Sequence, residues 1–115
     1  MESILDSVKV MLGISIDDDP SFDQDLILHI NGALTVMNQL GVGPSRGYNI
    51  TDATQTWSEF IGPREDLALI KQAIFLRVRL LFDPPQNSFL VAAIEKQIEE
   101  FDWRIEVQHS QQTEE

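Results

Sequence analysis

Apolar residues recur at helical spacing in four separate stretches of this chain, and the polar residues between them mark most of the helix ends. In the first stretch Ile4, Leu5, Val8, Met11 and Leu12 share a face, and Gly13 stands where a left-handed C-cap ends a helix. Asp17-Asp18-Asp19-Pro20 then breaks the pattern. In the second stretch Phe22, Leu26, Ile30, Ala33, Met37 and Leu40 follow at steps of three or four, with Ser21 as N-cap, Asp23 and Asp25 at the positive end of the helix dipole and Gly41 as the stop. The third opens with Pro63 at its first position and Glu65 and Asp66 in its first turn. There Leu67, Ile70, Ala73, Ile74, Val78 and Leu81 form one stripe, and Leu69, Phe75, Leu76, Leu80 and Phe82 cover much of the remaining surface, as a central helix requires.

The end of that helix is the most informative point in the chain. Pro84 lacks a backbone donor and biases Asp83 away from helical angles, and Pro85 does the same to Pro84, so Asp83-Pro84-Pro85 forces a turn. Asn87 or Ser88 can cap the helix that follows, in which Leu90, Ile94, Ile98, Phe101 and Ile105 face the core and Glu95, Lys96, Glu99, Glu100 and Asp102 lie largely opposite. Between the second and third helices, Gly43-Pro44-Ser45-Arg46-Gly47 reads as a turn and Tyr48-Asn49-Ile50 as a loop or a short strand. Trp57, Phe60 and Ile61 predict a helical turn or two before Gly62. The pattern therefore predicts an all-α bundle with main helices at roughly 2–12, 21–40, 63–82 and 88–106, a short turn near 54–61 and an irregular loop at 42–53.

A chain of 115 residues suits one domain, read as residues 1–107, with the wholly polar 108–115 as a disordered tail. The absence of cysteine excludes disulfides, thiolate metal sites and cysteine nucleophiles. A membrane span or secretion leader has no apolar run to support it, which leaves cytoplasmic synthesis as the default. The net charge of −11 opposes binding to nucleic acid phosphates or anionic lipid. That charge is uneven. Residues 63–82 carry Arg64, Lys71, Arg77 and Arg79 against Glu65 and Asp66, whereas residues 1–45 carry Lys9 against seven acids, a polarity that suits either head-to-tail association or an ordinary solvated surface.

Candidate chemistry is sparse, and no catalytic, cofactor or metal residues are assigned. An EF-hand loop beginning at Asp17 would need a glutamate at its twelfth position, where Leu28 stands. His29 can pair with Asp25 one turn before it, but His29 and His109 do not make a triad or a zinc site. Gly41-Val42-Gly43-Pro44 lacks the spacing and lysine of a phosphate loop, and Glu99 and Glu100, adjacent on a helix, point apart. Trp57 and Tyr48 are either loop anchors or partner contacts; Trp103, off the apolar stripe, is either an interface residue or ordinary packing.

Taken together, Leu34 to Pro44 (LTVMNQLGVGP), Trp57-Ser58-Glu59-Phe60, Arg77 to Pro85 (RVRLLFDPP), Ser88-Phe89 and Glu95 to Arg104 (EKQIEEFDWR) resemble the head-to-tail connector proteins of tailed bacteriophages and prophages, over about residues 1–107. The resemblance implies a non-enzymatic, all-helical adaptor without cofactors, made in the bacterial host cytoplasm and placed at the head–tail joint of the virion. It implies a homo-oligomeric ring, dodecameric in the virion, that contacts the portal and a tail-side or stopper protein. DNA passes through such a ring without specific binding, and no membrane is involved. It also places Trp103, Arg104, Ile105 and Val107 at the candidate portal interface, with the loop carrying Tyr48, Ile50, Asp52 and Trp57 as candidate ring-neighbour or lumen surface. The alternative from composition is an acidic regulatory protein that binds a basic partner or mimics nucleic acid charge.

Overall fold

The computed structural model describes residues 3–14, 22–62 and 66–113, with side chains to residue 108. Among the described residues five helices follow one another: α1 (Ile4–Met11), α2 (Asp23–Gln39), α3 (Trp57–Ile61), α4 (Leu67–Phe82) and α5 (Ser88–Thr113). Among the described residues strand pairing is confined to an isolated antiparallel bridge between Ser3 and Thr56, so the Tyr48–Ile50 segment is a loop. The all-α bundle expected from the pattern is what forms. Ser21, Pro63, Glu65 and the Asp17-Asp18-Asp19 run lie outside the described residues.

The ends of the helices follow from local chemistry. Ser3 caps α1 by accepting from the Asp6 amide at 3.2 Å. At the end of α2, Gly41 adopts φ +97°, its amide donates to the Asn38 carbonyl and the Val42 amide to the Met37 carbonyl, each at 3.0 Å. These are the paired bonds of a Schellman motif, and they drop Val42 into the core as the chain leaves the helix. The same pattern at Gly13 ends α1. Thr56 and Glu59 form a reciprocal capping box at α3. Asn87, one of the two caps expected for α5, accepts from the Phe89 amide at 2.8 Å.

Several boundaries differ from the sequence reading: α1 starts at Ile4 and α3 at Trp57, each two or three residues later than expected. α2 starts at Asp23 with Phe22 as its cap position, and α4 starts at Leu67 with Asp66 as its cap, so Asp66 precedes the first turn instead of lying in it. α5 runs on to Thr113, beyond its expected end at 106, so residues 108–113 are helical instead of the start of a disordered tail, because a polar sequence free of glycine and proline gives the helix nothing to end on.

One core joins all five helices: Ile4, Leu5 and Val8 of α1, Leu26, Ile30 and Met37 of α2, Trp57 and Phe60 of α3, Ile70, Ile74 and Val78 of α4, and Phe101 and Ile105 of α5. α4 packs on both α2 and α5 and is central, as its broad apolar surface requires. Some residues of the predicted stripes lie outside this core. Phe22 is exposed and meets Phe82 edge-on at 5.6 Å, and Met11, Leu67, Leu81 and Leu90 also face outward. Lys9 is a buried charge the pattern did not mark; its ammonium is 2.9 Å from Asp23 Oδ1, tying α1 to the start of α2.

Candidate functional site

α5 has 26 residues, hence a length of about 39 Å, against a longest molecular dimension of 46 Å. Its attachment to the bundle is off-centre. Ile98, Phe101 and Ile105 are buried, and the Arg77 guanidinium of α4 grips the Asp102 carboxylate with both nitrogens, one of them at 2.7 Å. Residues 88–97, by contrast, are exposed except for half-buried Val91 and Ile94. The Asp83-Pro84-Pro85 turn explains the separation: the Asp83 amide closes α4 on the Arg79 carbonyl, and the chain then travels to Asn87 before α5 begins.

Past the anchor, the candidate portal residues divide. Trp103 is 66% exposed and Val107 half-buried, while Arg104 is exposed and pairs with Glu100 one turn earlier at 2.8 Å. Ile105 is wholly buried and belongs to the core, so it holds the helix down instead of offering itself to a partner. An indole exposed to this degree beside a secured helix is the residue type most often found at the centre of protein contacts.

The loop between α2 and α3 is built by side-chain bonds. Asn31 matches the backbone of Ile50 with two bonds, donating to its carbonyl at 3.0 Å and accepting from its amide at 2.7 Å. Asn38 donates to the carbonyls of Val42 and Pro44. Gln55 Oε1 gathers the amides of Thr51 and Asp52, and the Gln55 carbonyl receives the Ile4 amide, which fastens the loop to α1. Ile50 and Trp57 are buried in the core, Trp57 donating to Ser7 Oγ at 3.0 Å with the Lys71 ammonium 5.4 Å from its ring centre. Trp57 is thus an anchor, and neither residue is a contact surface.

Tyr48 is half-buried against Phe60, with ring centres 5.5 Å apart. Burial, then the charge and hydrogen bond of Glu59, raise its hydroxyl above the ordinary tyrosine value. Asp52 is exposed, and bonds from the Thr54 hydroxyl and amide hold its carboxyl below the usual range. The outward face of the loop is therefore polar and carries a persistently ionised carboxylate.

Among the described residues no group of three or more His, Asp or Glu could hold a metal ion. No described helix is long and apolar enough to cross a membrane. What the described residues offer is surface: a secured helix bearing an exposed tryptophan, and a loop braced by side-chain bonds that exposes Arg46 and Asp52. The family model for phage connector protein matches residues 4–112. The chain belongs to that family. The match spans every helix of the bundle except the last residue of α5. No curated protein and no solved structure matches the connector chain significantly.

The sequence pattern pointed to Trp103 because it stands off the α5 stripe. It passed over the opposite end of the same helix, where Phe89 is 85% and Leu90 53% exposed. A signal was available: Phe89 to Ile94 are six apolar residues in a row, too wide for a face covered by one neighbour.

Proposed function

We propose that this phage connector is a structural, non-enzymatic adaptor: a ring of identical subunits that joins the portal of the DNA-filled head to the tail and extends the DNA channel. Membership of the connector family across nearly the whole chain carries this reading. The surfaces of the fold support it. Trp103, with Arg104 and Val107 beside it, forms the portal contact, and buried Ile105 with the Arg77–Asp102 pair supplies the rigid base that such a contact needs. The loop presents Tyr48 and Asp52 toward a neighbour or the lumen; Asp52 stays ionised, and a net charge of −11 keeps phosphates from adhering to the channel wall. The subunits are made in the host cytoplasm and end at the head–tail joint of the virion, between the portal and a tail-side or stopper protein.

Capture on purified portal tests the adaptor reading. Truncation after Phe101 is unsuitable because it would remove Ile105 from the core. Trp103→Asp leaves the core intact, and it should abolish capture at an unchanged unfolding midpoint. Capture equal to wild type would place the portal contact elsewhere, and failure of the wild-type chain to bind portal would favour the acidic regulatory alternative.

A further inference from the structure

Two apolar features stand uncovered among the described residues. One is a ridge in the Phe89–Ile94 stretch of α5, where Phe89, Leu90 and Ala93 are exposed while Val91 and Ile94 are half-buried. The other is an open groove of about 380 Å³ between α2 and α4, walled by Leu28 and Val36 on one side and Leu80 and Leu81 on the other, with Gly32 between. Leu28 and Leu81 are 68% and 66% exposed, so the groove walls stand in water together with the ridge. Isolated exposed leucines are ordinary; a concave and a convex apolar patch on one chain are a pair to be explained.

Gly32 sharpens the case. It sits inside α2, where glycine weakens a helix relative to alanine, yet a Cβ there would meet nothing within 4 Å and its φ is not positive. Nothing among the described residues requires glycine at this position. Its bare backbone keeps the floor of the groove low between Leu28 and Val36, one turn to either side, which lets another helix approach closely.

We propose that the Phe89–Ile94 ridge of one copy seats in the α2–α4 groove of the next, as the subunit-to-subunit contact of the ring; this rests on the ring assembly proposed above. Charge admits a second copy as the occupant. No carboxylate lines the groove, so Glu95, Glu99 and Glu100, which follow the ridge with Lys96 among them, meet no like charge at its walls, where the charged residue, Arg77, is already held by Asp102. Reach also fits: Leu28 to Val36 spans about 12 Å of helix and Phe89 to Ile94 about 8 Å. Ridge and groove are different surfaces, so each copy offers one and receives one. Such a contact is heterologous and propagates around a ring instead of stopping at a two-fold dimer.

The absence of native cysteine allows a direct test. Phe89→Cys is combined in turn with Leu28→Cys, Gly32→Cys and Val36→Cys, positions one helical turn apart, and the proteins are oxidised mildly with and without purified portal. At least one combination should give a covalent ladder of trimers and larger species. Phe89→Asp, at a side chain that supports nothing in its own subunit, should lower association at least tenfold at an unchanged unfolding midpoint. Gly32→Leu should do the same at an unchanged or higher one. Cross-linked dimers only, intramolecular closure, no ladder, or Phe89→Asp chains assembling like wild type would overturn the contact while the ring reading stands. Wild-type chains that assemble under neither condition would overturn the ring reading itself, and this contact with it.

Discussion

Gly43→Ala should cost far more stability than a surface-loop substitution normally does. Gly43 has φ +84°, and a Cβ there would stand 2.6 Å from Phe60 Cε1, 2.9 Å from Cδ1 and 3.2 Å from the Phe60 carbonyl oxygen. The positive φ alone costs an alanine about 1–2 kcal/mol. The overlap adds about 1–3 kcal/mol, because the Phe60 ring is buried and backed by Tyr48 and cannot swing clear. A total near 3 kcal/mol is a large share of the roughly 5–15 kcal/mol that holds a domain folded, and should lower the thermal midpoint by about 12 °C. Gly47 supplies the control: its φ is +91°, but a Cβ would meet nothing within 4 Å, so Gly47→Ala should lose the conformational part only. Urea unfolding followed by circular dichroism measures both. Equal losses at the two glycines would mean that Phe60 does not pack against the loop in this way, and the rigid loop surface would go with it.

Three further outcomes follow from the same geometry. Asp23→Ala, which leaves the buried Lys9 ammonium without its partner, should destabilise by about 3 kcal/mol in urea unfolding, more than Lys9→Met, which removes the charge; the reverse order would contradict the pairing. Replacing Pro84 and Pro85 with alanine should let α4 run past Phe82, increasing helical ellipticity while weakening assembly; unchanged ellipticity and assembly would count against the turn. The Tyr48 hydroxyl is held above its ordinary value near 10, so the unfolded chain loses that proton first and stability falls as pH rises through the folded value; below about pH 10 the contribution is complete. Tyr48→Phe should therefore flatten the difference in unfolding midpoint between pH 9 and pH 11, and parallel curves for both proteins would refute it.

The fold was legible wherever the chain carries helical periodicity with a chemical stop. Gly13, Gly41 and the Asp83-Pro84-Pro85 turn each end a helix where expected, and Asn87 starts the next. Less legible were features decided by tertiary contacts. Lys9 reads as a solvated charge on α1 until Asp23 closes on it, and Ile50 as a loop residue until Asn31 binds its backbone on both sides. The Thr56-x-x-Glu59 capping box was readable from spacing alone and marks the start of α3 to the residue. For the surface, Trp103 could be found as an aromatic off its stripe. The exposure of Phe89 and Leu90 could not, because it depends on how far the turn carries α5 from α4 before Asp102 meets Arg77.

The central claim is that this connector chain assembles with itself into the ring that receives the portal. Native mass spectrometry with negative-stain microscopy, run over rising protein concentration and then with purified portal from the same source, tests it most directly. A closed ring, alone or seated on the portal, is the predicted result. A chain that stays monomeric at every concentration and ignores the portal would contradict the account.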